Sequence, residues 1–491
     1  MNKGLNHKRD TFVIVGGRLL QTAIMVLTIY ILTNILSPVE LGKYYLFMSL
    51  VAFSGLVLIN PFGRFIQRKV NAWNSSKLLF QRLYEYNFYV FFVCVISIFL
   101  LILFTNMGFF SSLQDFSFLW IFGLFIYFNT WANTLVPVFN MLFFRITFVI
   151  LTVLTSVFLL IMPYLFAVNN GSVQSWMIGT VLSYAAISFI AGVIFLRVYV
   201  RDGLSSIIPK YRLSKIKKLA TFIVPLGVAT LFMWAQSSGL RILVEHFYTL
   251  EYLAFLGVGL ALASQITVTV EGIITQIYHP IYYARLESED IAVRAESLNR
   301  TLELVIPVYL LMFIYVIVFS KEIFIILINE QYHNAYTFLM IGMIFEFFRM
   351  LTNLYSNAFH SEMATKNLML PYFIGVVFTV LAIFIGLRFN EFHFYLIPLV
   401  WAVGMLVTFI IMTRLAKKLL TVIFPWVGSF KILLFSVPIV VWGCLGKSDT
   451  TDLVYVIMVL ILSGLYCVAA LYFILRPALL DARVAKRDAL V

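Results

Sequence analysis

The chain has 491 residues, of which 62% are hydrophobic and 12% charged, and it carries a formal net charge of +13. With a mean hydropathy of +0.98 it has too few polar side chains to cover a water-facing surface, which excludes a soluble globular class. The apolar residues run in unbroken stretches rather than short alternating segments, so the expectation is helices and not an outer-membrane barrel.

The basic excess does not form a nucleic-acid face, because Lys and Arg sit in short segments between apolar runs. Cys94, Cys444 and Cys467 fall inside apolar runs without disulfide or metal-ligand spacing and read as packing residues. Lys3, Lys8 and Arg9 precede an apolar segment, as in a secretion signal. That segment is too long for a signal core, contains Arg18 and leads to no small-residue cleavage site, so it reads as the first membrane helix.

The hydropathy pattern predicts about fourteen membrane helices. The first six are Phe12 to Asn34, Leu41 to Phe62, Tyr86 to Phe104, Phe116 to Val138, Ile146 to Ala167 and Val173 to Phe195. The next six are Leu219 to Leu240, Leu250 to Ile274, Leu304 to Phe319, Tyr336 to Tyr355, Leu368 to Leu387 and Phe394 to Met412. A last pair covers Ile423 to Leu445 and Leu453 to Leu475. The expected organisation is an N-lobe over 1–200, a basic linker over 201–218, a C-lobe over 219–418, and a helix pair with a tail over 419–491.

Alternate connections differ sharply in positive charge, with about 27 Lys and Arg on the side of the N-terminus against about 5 on the other. Positive charge resists translocation, so both termini are expected on the cytoplasmic side. The segment RVYVRDGLSSIIPKYRLSKIKK, from Arg197 to Lys218, is the most polar connection and reads as a basic loop on anionic lipid. A faint repeat lays ILTNILSPVELGKYYLF, from the end of helix 1, on ILVEHFYTLEYLAFLGV, from the end of helix 7. Six helices separate the copies, which predicts parallel repeats, two six-helix lobes and an appended C-terminal pair.

Polar side chains inside the membrane should face protein or water. Glu346, Arg349, Asn353 and Asn357 fall on one stripe of helix 10, and Ser264, Thr267, Glu271 and Thr275 on one stripe of helix 8. Asn129, Asn133 and Asn140 align in helix 4, Arg18 and Gln21 lie one turn apart in helix 1, and Gln236, Ser237 and Ser238 lie in helix 7. Glu346 and Arg349 are either a structural i, i+3 pair or part of a site. Glu271 has no base on its own helix, which suggests a proton or sodium site or a counter-charge for Arg18. Arg18 either snorkels to the headgroups or contacts an anion on a substrate, with Arg64 and Arg68 continuing that path. Lys431 falls outside the two lobes. No phosphate loop, H-E-x-x-H motif or ATPase-sized soluble segment is found, so energy must come from an ion, voltage or substrate gradient or from a partner.

The run GGRLLQTAIMVLTIYILTNILSPVELGKYYLFMSL, followed by NPFGRFIQRK, resembles the polysaccharide flippases (Wzx-type) of the multidrug/oligosaccharidyl-lipid/polysaccharide (MOP) exporter superfamily. The resemblance is carried by Arg18, Gln21, Leu36, Ser37, Pro38, Glu40, Gly42 and Tyr44 and covers roughly the first seventy residues. Thr33 and Asn34 depart from it where the family often has an Ala-Arg pair.

The resemblance implies an all-α polytopic protein with two MATE-like lobes that moves an undecaprenyl-diphosphate-linked oligosaccharide, such as an O-antigen or capsule repeat, by alternating access. Arg18, Gln21, Arg64, Arg68, Asn129, Asn133, Gln236, Arg349 and Asn353 would then hold diphosphate and sugar, and Glu271 and Glu346 would couple a proton or sodium gradient. No cofactor or metal is expected. The implied setting is a bacterial inner membrane, with glycosyltransferases and a polysaccharide polymerase as partners. Two competing readings are a cation-coupled drug exporter of the same fold and a polytopic glycosyltransferase, polymerase or ligase. The first should need acidic residues in helices 1 to 6, which have none at mid-span, and the second an acidic site or large outer loops.

Overall fold

The computed structural model describes residues 2–142, 144–199, 213–286, 290–362, 364–388, 394–445 and 453–488. Of the basic linker, 201–212 lie outside these residues, as do the side chains of Arg68, Lys215, Lys217 and Lys218. Every regular element among the described residues is helical. Thirteen of the helices are long and apolar enough to cross a membrane, and they coincide with thirteen of the expected spans. The remaining one, expected over Leu219 to Leu240, is the helix Leu213–Ser237. The chain divides into two compact units, Met1–Gly257 and Val258–Val491.

In the first unit, α1 (Asn2–Ile35) packs on α6 (Arg145–Ala167), and α6 packs on α7 (Val173–Tyr199). α5 (Phe116–Met141) lies between α7 and α4 (Leu79–Asn106). The turn after α1 shows why the Ser-Pro-x-Glu-x-Gly sequence is there. Ser37 caps α2 (Pro38–Phe53) by accepting from the Glu40 N–H at 3.4 Å, with Pro38 in the first helical turn where its missing N–H costs nothing. Glu40 pairs with Lys43 at 2.7 Å and accepts from the Val173 N–H at 2.8 Å, satisfying an orphan donor at the start of α7. A Cβ on Gly42 would collide with the Leu250 carbonyl oxygen, so only glycine allows that approach.

The second membrane helix does not stop at Phe62 as expected. It passes through one π-helical segment, Ser54–Ile59, into the amphipathic α3 (Asn60–Ser75). A π turn leaves carbonyls off the i to i−4 ladder. The Tyr89 hydroxyl of α4 donates to the Leu58 carbonyl at 2.5 Å, supplying one such carbonyl with a partner, and the Ser54 and Ser97 hydroxyls bond each other at 2.9 Å. α8 (Leu213–Ser237) packs on this segment, and the short α9 (Leu240–Phe247) packs on α2. The Trp234 indole donates to the Ser49 carbonyl at 2.9 Å and the Ser49 hydroxyl to that of Ser238 at 2.7 Å.

α10 (Leu250–Leu286) carries the chain into the second unit. There α13 (Tyr336–Ser361) packs on α15 (Leu396–Leu419) and on α11 (Ile291–Val318), and Phe345 stacks on Trp401 at 3.6 Å with rings 6° from parallel. α11 begins well before its expected start at Leu304, because Asp290 caps it and its polar first turns are held outside the apolar stretch. Arg294 there makes a two-pronged bond to Glu362, at 2.8 and 3.0 Å. α14 (Met369–Arg388) lies against α15. Residues 421–425 have no regular secondary structure, so the helix expected from Ile423 starts instead at Trp426. Asn299 of α11 holds this stretch through the Thr421 carbonyl and the Ile423 N–H. α16 (Trp426–Leu445) and α17 (Leu453–Asp488) turn large apolar side chains outward, Trp426 and Val454 being 74% and 75% exposed, as lipid-facing helices do.

Candidate functional site

The two polar stripes read separately on helices 8 and 10 meet in the second unit. Arg349, on α13, donates from Nε to Glu346 Oε2 at 2.6 Å, one turn earlier on its own helix. Its Nη2 donates to Glu271 Oε2, across on α10, at 2.8 Å. The Thr267 hydroxyl, one turn before Glu271, donates to Glu346 Oε2 at 2.9 Å, so Glu346 is held from both helices. Asn353 Nδ2 reaches Glu271 Oε1 at 3.3 Å. Glu271 therefore takes its counter-charge from Arg349.

The cluster is largely hidden, with side-chain exposures of 21% for Arg349, 19% for Glu271 and 9% for Glu346. Two carboxylates facing one guanidinium leave one surplus negative charge when all three are ionised. Such a charge in a low-dielectric helical interior is costly unless a cation or a proton joins it. Tyr309 of α11 and Tyr372 of α14 lie within electrostatic range of the cluster. Asn357 instead bonds its own helix, through the Leu354 carbonyl, and accepts from the Tyr282 hydroxyl at 3.3 Å.

The polar residues of the first unit form separate groups. Arg18, half-buried on α1, donates from Nη1 to Gln21 Oε1 at 3.0 Å, and no described carboxylate is within ion-pair distance of it. Asn133 and Asn129 bond each other on α5 at 2.6 Å, with Asn133 exposed. Gln236 is buried in α8, Arg64 is exposed on α3, and the Arg68 side chain lies outside the described residues.

Two residues of interest were not singled out from the sequence, where Arg241 counted only toward topology. On α9 it donates from Nη1 to the Tyr45 carbonyl at 3.4 Å and sits over the Tyr45 ring, 5.5 Å from its centroid. Glu245, one turn later, accepts from the Phe110 N–H at 3.1 Å and the Ser112 hydroxyl at 2.9 Å, in the connection between α4 and α5. Burial pushes its carboxyl above the ordinary value of 4.5, and those hydrogen bonds oppose the shift.

No family model matches the chain, and no curated protein matches its sequence. Solved structures do match. A lipid II flippase, MurJ, in an inward closed conformation aligns with 96% of this chain and 99% of its own, at a TM-score of 0.64 and 13% identity. The eukaryotic MATE transporter AtDTX14 covers 87% of this chain and 98% of its own, at a TM-score of 0.59 and 13% identity. An inward-facing multidrug resistance MATE family transporter of the MOP superfamily covers 83% and 97%, at a TM-score of 0.58 and 13% identity. These matched proteins are named as a flippase and transporters, and the chain is a multi-pass helical membrane protein that shares their fold.

Proposed function

We propose that the chain is a flippase for a polyprenyl-diphosphate-linked oligosaccharide, moving it from the cytoplasmic to the outer leaflet of a bacterial inner membrane by alternating access. The observation that carries this reading is the state of Arg18. A guanidinium on a membrane helix bonded to a neutral amide, with no described carboxylate within ion-pair distance, is suited to an anionic group such as a diphosphate. A carrier of cationic drugs would instead need uncompensated acid near that position. Supporting it, the lipid II flippase aligns over nearly the whole chain, while the two MATE structures are covered almost fully by 83% to 87% of it.

In this reading Arg18, Gln21, Arg64 and Arg68 engage the diphosphate, and Asn129, Asn133 and Gln236 engage sugar hydroxyls. Glu271 and Glu346, with one negative charge beyond what Arg349 neutralises, couple a proton or sodium gradient. Both termini face the cytoplasm, and glycosyltransferases and a polymerase supply and consume the substrate.

The test is a proteoliposome assay with lipid-linked oligosaccharide in one leaflet, with and without a proton or sodium gradient, read by an impermeant glycosidase. Protein-dependent exposure of intact substrate is expected. Sugar transfer or chain extension in the same vesicles, without movement, would replace the reading with a membrane enzyme.

A further inference from the structure

Arg241 presents an electrostatic imbalance that the chain itself creates. Arg and Glu at i and i+4 share a helix face and ordinarily pair, so Glu245 is the counter-ion that the sequence supplies. The structure turns Glu245 the other way, onto the Phe110 N–H and the Ser112 hydroxyl, which bind both of its oxygens. Arg241 keeps one long bond to the Tyr45 carbonyl and the face of the Tyr45 ring. Its Nε is shielded from solvent and has no acceptor. A snorkelling arginine would instead place its donors in water.

Guanidinium has five donors in a fixed fork, and leaving a shielded one unused costs more than a typical hydrogen bond returns. A ring contact offsets part of the charge but supplies no acceptor. The group that would complete this site is an anion with at least two acceptor oxygens in a fork. Tyr44, edge-on to Tyr45 with ring centroids 5.2 Å apart, is also within electrostatic reach of Arg241.

We propose that Arg241, with Tyr45 beneath it, forms a phosphate-oxyanion subsite on the first unit, separate from the Arg18 and Gln21 pair. Two sources share this chemistry, the diphosphate of a lipid-linked cargo and the headgroup of an anionic phospholipid. Choosing the cargo rests on the function proposed above, whereas the subsite does not.

The experiment uses the full chain in phosphatidylcholine nanodiscs, titrated with farnesyl diphosphate and, as a control without the oxyanion, farnesol. Arg241→Gln should weaken farnesyl diphosphate binding about tenfold and Arg241→Lys, which keeps the charge and loses the fork, by less. Farnesol binding should be the same in all three. Melting temperatures without ligand identify any variant that is misfolded, and Arg241→Lys then carries the comparison. In a second arm phosphatidylglycerol is added to the discs. Competition with farnesyl diphosphate in the wild type, lost in Arg241→Gln, assigns the subsite to headgroups as well, and absence of competition with the tenfold loss intact assigns it to cargo. Undiminished farnesyl diphosphate binding by folded Arg241→Gln, with no effect of phosphatidylglycerol, overturns the proposal. Binding that depends on Arg241 in a protein that moves no oligosaccharide would overturn the flippase reading and leave the subsite standing.

Discussion

Glu271 and Arg349, 78 residues apart in sequence, meet at 2.8 Å and join α10 to α13 through an ion pair. Because Arg349 also holds Glu346, the three side chains are not equivalent. Replacing Arg349 by Gln leaves two largely hidden carboxylates facing each other, and breaking a buried pair from one side costs about 3–5 kcal/mol. Replacing Glu271 by Gln leaves Arg349 paired with Glu346 and a neutral amide able to accept from it, so the loss should be about 1 kcal/mol or less. Thermal unfolding of both variants in detergent checks the order, and equal losses would show that the cluster does not act as a triad.

Transport should separate these residues differently. Glu271→Gln removes the surplus negative charge and should abolish dependence on the driving ion gradient while leaving downhill movement. Arg18→Ala should abolish movement with normal membrane insertion. Wild-type export by Arg18→Ala at normal protein levels would refute its assigned role.

The Glu40 bond to Val173 joins the α1–α2 turn to the start of α7, so Glu40 acts as a structural tie. Glu40→Ala should lower stability by about 1–3 kcal/mol, since it removes a charge-assisted acceptor and leaves a helix donor unmet. Gly42→Ala should cost at least as much, because the Leu250 backbone must move away. Melting temperatures of the two variants test both expectations.

Glu245 gives a pH dependence with a defined sign. Its folded carboxyl sits above the ordinary 4.5, so between that value and the raised one the folded state binds more protons than the unfolded state. Stability therefore falls as pH rises through this window. Glu245→Gln, neutral at every pH, should flatten that portion of the stability curve. A wild-type curve that rises over the same window would contradict the assignment.

Much of this architecture was legible from local sequence. Apolar run length located the membrane helices, and helical phase put Glu346, Arg349 and Asn353 on one stripe and Thr267 and Glu271 on another, because both properties are set within a few turns of one helix. That the stripes meet was not legible, since phase says nothing about which helix lies opposite. Glu40 was read as part of a family pattern, and its partner lies 133 residues away. Arg241 was hidden by the charge count, and local pairing would have matched it to Glu245, whereas a distant loop takes that carboxylate. The irregular stretch at 421–425 lacks a hydropathy signal because most of its residues are as apolar as those of the helix that follows.

The π segment within the second membrane helix has a consequence for everything after it. One π turn accommodates a residue more than the α-helical ladder needs, and each α-helical residue advances the side chains by about 100°. The direction in which α3 presents Arg64 and Lys69 is thus set by a single surplus residue between Ser54 and Ile59. Deleting one residue there would keep the helix and its hydropathy yet rotate every side chain of α3 by roughly 100°. The azimuth of α3 is therefore encoded as an insertion, a kind of information that no substitution at α3 itself could restore.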